Sequence, residues 1–232
     1  MFFDWTFIIL IPGIILATYA QAKVKTTFAK YSKISNARGI TGQQAAALIL
    51  QHHNLSAIQI RGTGGKLTDN YDPKQRLLNL SPDVFQVASV ASVSVAAHEV
   101  GHAIQHAEGY KPLIVRNSIV PAVNLLSMFS WPLIIIGIFV VYAGMQFGYA
   151  IIDLGILFFL GVIFFHLITL PVEINASRRA IVALGELNIL EGKQEERGAK
   201  RVLSAAALTY VAALAVAVLN LIRILIIRGS NN

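Results

Sequence analysis

Three histidines at four-residue intervals, His98, His102 and His106, stand in the stretch SVAAHEVGHAIQHAEG, and Glu99 follows the first of them. On an α-helix, residues four apart lie about 6 Å from each other on one face, so two imidazoles can reach one ion. Glu99 points about 100° away around the helix, where a carboxylate can approach a water without binding the metal. That is the chemistry of an H-E-x-x-H helix: His98 and His102 as zinc ligands, and Glu99 as the general base for attack of water on a polarised carbonyl. Small, uncharged neighbours flank the motif, the context such a helix requires. The alternative is a polar helix face packed against loops, which would leave two imidazoles and an acid together without evident partners.

His106 continues the same face, but eight residues from His98 means about 12 Å of rise, so one ion cannot bind all three. A metzincin would place a third histidine six residues after His102, and Glu108 stands there. His106 therefore reads as a supporting or surface residue. A catalytic zinc usually has three protein ligands and one open position. The chain has no cysteine, so the missing ligand must be His, Asp or Glu. His52 and His53 are adjacent at the end of an amphipathic segment, His166 lies inside an apolar stretch, and Glu186 sits among other charges. Glu173 differs, because it falls in TLPVEINASRRA, where an apolar stretch gives way to a polar one. A carboxylate there is costly without a partner, and a zinc ion is one; pairing with Arg178 or Arg179 is the alternative. Glu173 is the expected third ligand of a single zinc ion.

The elements that must position these groups follow from hydropathy. Of 232 residues, 55% are hydrophobic and 13% charged, against about 25% charge in ordinary soluble domains, so a membrane protein is expected. Four apolar stretches, 2–22, 118–143, 150–172 and 206–227, are long enough to cross a hydrocarbon core about 30 Å thick. A signal peptide competes for the first, since Ala20-Gln21-Ala22 resembles a cleavage site; the lack of Lys or Arg before it and the positive flank after it favour an uncleaved span. Pro121 and Pro132 fall inside the second, as membrane helices tolerate.

The polar remainder is 23–112 and 173–203. Thr41 with Gln44 signals a capped helix, LSAIQIRG and RLLNL read as short strands, and LTDNYDP reads as a turn. Ser81-Pro82-Asp83 signals a helix start, from which a helix can run unbroken to Gly109. Eleven of the 19 basic residues fall in 23–116 and six in 173–203, whereas the 144–150 loop has none. That alternation is the positive-inside pattern; it places both polar segments in the cytoplasm and both termini outside. No basic run interleaved with aromatics occurs, so nucleic acid is excluded as a partner.

AAHEVGHAIQHA, LPVEINASRRA and LTDNYDP together resemble the bacterial YugP-type neutral zinc metallopeptidases of the membrane, and the resemblance covers nearly the whole chain. That family is distantly similar to HtpX-type membrane proteases, in which a Glu in an E-x-x-x-D context completes the H-E-x-x-H site. The resemblance implies a gluzincin-like site in which His98, His102 and Glu173 bind zinc and Glu99 is the base. It also implies a zincin-like domain, protein or peptide substrates and the bacterial inner membrane. Ser177 stands where the HtpX-type Asp would be, so no supporting carboxylate carries over, and Asn70 receives no role. Related zinc peptidases hold substrate as an added strand on a sheet edge, and 57–62 is the candidate, or is simply a structural strand.

The expected fold is mainly α, a polytopic membrane protein with about four transmembrane helices and a small α+β cytoplasmic domain. The expected function is zinc-dependent cleavage of membrane-associated or misfolded proteins at the inner face of the bilayer. The rival is a non-catalytic scaffold or assembly factor whose metal site is structural or lost.

Overall fold

A computed structural model describes residues 5–230; residues 2–4 of the expected first span lie outside the described residues. A 3₁₀ turn, Trp5–Leu10, leads into α1 (Ile11–Tyr31), followed by α2 (Gly42–His52), β1 (Gln59–Gly62), β2 (Asn70–Asp72), β3 (Leu77–Leu80), α3 (Pro82–Phe85), α4 (Val90–Ala107), α5 (Lys111–Tyr142), α6 (Gly148–Glu186) and α7 (Gly192–Ser230). Four helical stretches, Trp5–Tyr31, Lys111–Tyr142, Gly148–Glu186 and Gly192–Gly229, are long and apolar enough to cross a membrane. The protein is a mainly α, polytopic membrane protein with a three-stranded sheet. Pro121 and Pro132 in α5 and Pro171 in α6 do not end their helices. The polar segment 173–203 is not an independent piece: α6 continues through Glu186, and a turn with Asn188 and Gly192 at positive φ feeds α7.

Residue contacts divide the chain into two units. The first comprises residues up to Tyr19, Val115–Leu170 and residues from Thr209 on. Its core gathers Ile134, Ile152, Ile156, Phe159, Ile163, Ala217 and Ile224. Helices α5 and α6 approach closely at Gly155, where a Cβ would lie 2.7 Å from the Ile134 side chain and 3.0 Å from the Ser130 carbonyl oxygen. Leu125, Phe139, Leu157 and Phe164 are exposed, the outward apolar face that a lipid solvent favours. Arg228 forks onto Asp153 at 2.6 and 2.9 Å, and Arg223 donates to Thr6 at 3.0 Å with its guanidinium 3.9 Å from the Phe7 ring centre. Arg223 and Arg228 are the two of the 19 basic residues that lie outside 23–116 and 173–203, and these partners accommodate them.

The second unit, Ala20–Ile114 with Pro171–Leu208, holds the sheet, in the order β1-β3-β2. β3 pairs with β1 in parallel and with β2 antiparallel. The expected capping box opens α2, with Gln44 N–H donating to Thr41 Oγ1 and Thr41 N–H to Gln44 Oε1. LTDNYDP is not wholly a turn. Asn70–Asp72 forms β2, and the turn begins only at Asp72, whose Oδ1 accepts the Lys74 and Gln75 N–H groups.

The expectation of one helix from Ser81 to Gly109 is also overturned. Pro82–Phe85 makes a single turn, and a second capping box restarts the chain at α4. Ser89 Oγ accepts from Ser92 N–H, Ser89 N–H donates in return to Ser92 Oγ, and Ser92 Oγ donates to the Val87 carbonyl at 2.6 Å. Serine hydroxyls compete for backbone groups in this way, which breaks a helix that apolar periodicity alone would continue. Val90 N–H also bonds the Ile34 carbonyl, fixing where α4 starts.

α4 is the axis of this unit. Val90, Val93, Ala96, Ala97, Val100 and Ala103 are buried with Ile49 and Leu50 of α2, Leu78 and Leu80 of β3, and Leu184 of α6. Gly101 sets the spacing to α6, because a Cβ there would lie 2.6 Å from the Ala176 carbonyl oxygen. Backbone cannot swing aside as a side chain can. Gly101→Ala should therefore cost about 1–3 kcal/mol through overpacking. Gly185→Ala on α6, where a new Cβ meets nothing within 4 Å, should cost nothing. Unfolding midpoints of the two purified variants in one detergent check this, and equal midpoints would refute the spacing role.

Candidate metal centre

His98 and His102 occupy successive turns of α4, and Glu173 faces them from α6. Glu173 Oε2 lies 3.2 Å from His98 Nε2 and 3.4 Å from His102 Nε2. One ligand atom from each residue lies within 4.8 Å of the other two, a group that could hold a metal ion. Glu173 is only 3% exposed and His102 only 8%. The donor set, two imidazole nitrogens and one carboxylate oxygen, suits zinc.

The electrostatics match that placement. Burial pushes the Glu173 carboxyl up, but its bonds to His102 and His98 and their charges outweigh this and hold it well below the usual carboxylate range. Burial would lower His102, whereas the Glu173 hydrogen bond and the charges of Glu99 and Glu173 raise it on balance. A metal cation competes with that proton for the same Nε2 lone pair, so uptake releases protons and weakens at acid pH. Glu99 is half-buried beside the group. Burial is the largest influence on its carboxyl and raises it; His98 and His102 oppose that, while Glu173 and Asp69 add to it.

The remaining ring nitrogens are engaged as well. His98 Nδ1 is 3.1 Å from Ser177 Oγ, and His102 Nδ1 is 3.0 Å from Gln105 Oε1. Gln105 is wholly buried, and its amide orientation is fixed from the far side. Arg179 Nε, which can only donate, bonds Asn175 Oδ1 at 2.8 Å; that oxygen also accepts Gln105 Nε2 at 2.9 Å. Gln105 Nε2 donates in addition to the Val172 carbonyl at 2.8 Å. Its Oε1 is therefore left to accept from His102 Nδ1–H, which frees the Nε2 lone pair on the Glu173 side. Arg179 ends the chain in an ion pair with Glu108 at 2.7 Å.

The other sequence candidates lie elsewhere. His106 Nδ1 meets the Tyr71 hydroxyl at 2.9 Å, tying β2 to α4. His52 faces Glu186 at 3.8 Å, His53 lines a cleft with Arg178 and Arg179, and His166 belongs to the first unit. Asn70 Oδ1 accepts from Asn79 across the sheet. Sequence reasoning passed over Gln105 and Asn175, and it noted Ser177 only as replacing the HtpX-type Asp, without a role. Their only signal was polarity without charge: an amide three residues after His102, and an amide and a hydroxyl two and four residues after Glu173.

Gln105→Leu should remove the acceptor of His102 Nδ1–H and lower zinc affinity about 10- to 100-fold, the usual effect of losing a partner behind a ligating histidine. Gln105→Glu, which keeps an oxygen there, should retain more affinity than Gln105→Leu. Competition against a chromophoric chelator measures both, and wild-type affinity in Gln105→Leu would refute the orienting role.

Comparison with known proteins identifies the family. The family described as "Putative neutral zinc metallopeptidase" matches residues 6–229. The chain is 45% identical over 216 residues, 91% of each chain, to "Putative membrane protease YugP" of Bacillus subtilis (strain 168). No solved structure matches the chain. The family match runs through both polar segments and the four long apolar helices, and the chain belongs to this family of neutral zinc metallopeptidases.

Proposed function

We propose that the protein is a zinc-dependent endopeptidase that hydrolyses peptide bonds of membrane-associated or misfolded proteins at the inner face of the bacterial cytoplasmic membrane. The observation that carries this reading is the buried Glu173 carboxylate in contact with both histidines of the H-E-x-x-H helix. In this reading His98, His102 and Glu173 hold one zinc ion, which supplies Lewis acidity toward a water and a peptide carbonyl. Glu99 takes a proton from the attacking water as the C–O bond forms, then returns it to the leaving nitrogen as the C–N bond breaks. Gln105 and Ser177 keep the two imidazoles facing the ion, and Gly101 lets α6 bring Glu173 close enough. A structural site would need a fourth protein ligand, and among the described residues the group comprises three. That favours catalysis over a scaffold.

Both outer strands of the sheet are edges, so 57–62 is one candidate for pairing with substrate backbone. β2 is the better one, because Tyr71 anchors it to the histidine helix through His106.

Three variants test the site together. Glu99→Gln should keep zinc and lose about 10²–10⁴-fold in peptidase activity on an unfolded substrate. Glu173→Ala should lose zinc as severely as His102→Ala, whereas His106→Ala should retain most of it. Near-wild-type activity in Glu99→Gln would end the hydrolase reading, and full occupancy in Glu173→Ala would remove it from the ligand set.

The orientation rests on the 11 basic residues of 23–116 and the 6 of 173–203 against none in the 144–150 loop. The chain has no cysteine, so Phe147→Cys gives a single reporter. A membrane-impermeant maleimide should label it from outside intact cells; labelling from the cytoplasmic side alone would reverse the topology.

A further inference from the structure

A cavity lies in the second unit, and no residue of α4 lines it. It has a volume of about 460 Å³, between the end of α1 and the first turns of α7. Its lining includes four cationic side chains, Lys30, Lys193, Arg197 and Arg201, and no carboxylate. Tyr31 forms the floor at 7% exposure, with its hydroxyl accepting from Arg201 Nη1 at 3.3 Å and Lys30 Nζ 5.6 Å from its ring centre. The arrangement depends on a glycine. A Cβ at Gly198 would lie 2.7 Å from the Tyr31 ring, so only glycine lets α7 rest on that ring with Arg197 and Arg201 to either side.

Of the acids of the same stretch, Glu195 is committed elsewhere, whereas Glu196 lies within electrostatic reach of Arg197 and Lys193 but does not line the cavity. Glu195 accepts the N–H groups of Ala37 and Glu191, and Glu196 pairs with Lys200. Four like charges around one cavity repel each other, and the N-terminal end of α7 adds positive potential there. An anion in the cavity relieves both. Arg197 and Arg201 lie one turn apart, a spacing at which two guanidinium forks can share the oxygens of one phosphate. Arg201 precedes the apolar stretch that begins at residue 206 by five residues of α7, about 7.5 Å of rise. That distance corresponds to the headgroup layer, about 5–8 Å deep on each side of the hydrocarbon.

We propose that this cavity binds a phosphate group, supplied by the headgroup of an acidic phospholipid or by a free phosphate. Arg197 and Arg201 grip the phosphate oxygens, Lys30 and Lys193 supply the surrounding charge, and Tyr31 with Ile34 gives an apolar wall for a glycerol or acyl segment.

The test uses the full chain, purified in a neutral detergent and in nanodiscs of phosphatidylcholine with or without phosphatidylglycerol. The variants are Arg197→Gln alone, Arg197→Gln with Arg201→Gln, and a charge-matched control, Lys25→Gln with Lys33→Gln. Retained phosphatidylglycerol per protein, counted by native mass spectrometry, should fall at least about tenfold in the double arginine variant, a loss of at least 1.4 kcal/mol of binding free energy, and stay near wild type in the control. Inorganic phosphate alone should raise the wild-type unfolding temperature and leave the double variant unmoved. Release of retained lipid by phosphate places both at one site. Stabilisation by phosphate without lipid retention keeps the phosphate site and identifies the free ion as its source. Arg197→Gln alone should give the same sign at reduced size, which guards against a folding defect in the double variant. Equal lipid retention and equal phosphate response in the arginine variants and the lysine control would overturn the proposal.

Discussion

Glu173 carries a negative charge to a place where water reaches almost none of it, and the rest of the second unit is arranged so that this is tolerable. Its compensation comes from across a helix interface, from two imidazoles on successive turns of α4. Removing one partner of a buried charged pair typically costs about 3–5 kcal/mol, because the remaining charge stays desolvated. The contact therefore locks α4 to α6 in one register. It also puts three ligand atoms close enough to share one ion, so the interaction that fixes the fold locally defines the candidate centre.

Two further features follow from that constraint. Helices carrying bulky residues at the crossing would hold Glu173 too far away, and the crossing is made by Gly101 against the backbone of Ala176. Imidazoles free to rotate would spend much of their time with the wrong nitrogen inward. Gln105 and Ser177 prevent this, and Gln105 is itself held by Val172 and by Asn175, with Arg179 beyond. Distance and tautomer are thus set by separate groups. A substitution at the crossing changes how near Glu173 comes, whereas one in the amide chain changes which nitrogen faces it.

The parts legible in the sequence were those with a local cause. Helical spacing alone puts His98 and His102 on one face, apolar length alone marks the four long helices, and the Thr41–Gln44 box announces α2. Glu173 was legible because a carboxylate at the end of an apolar stretch demands a partner. The misread parts had causes distant in sequence or ambiguous in kind. The break between α3 and α4 turns on whether Ser89 and Ser92 bond each other or solvent, and the backbone bonds of Asn36 and Val90 to the opposite segment decide it. β2 was taken for a turn because Asn70 and Asp72 are turn formers, yet pairing with β3 overrides that preference. Gln105 carries no charge and no periodic signal, and its role exists only once Asn175 has been folded against it.

α6 shows why the centre can be built with so little protein. One continuous helix, Gly148–Glu186, carries the exposed apolar residues Leu157 and Phe164 in one part and Glu173, Asn175, Ser177 and Arg179 in another. A soluble domain would need a separate packed element to fix the third ligand. Here the element is long already, because its apolar part has a membrane to cross, and a helix is stiff enough to transmit that fixation for a further turn or two. Residues 173 and 177 share one side of α6 and 175 lies at the other edge of the face packed on α4, supplying the carboxylate, the hydroxyl beside His98 and the amide behind Gln105.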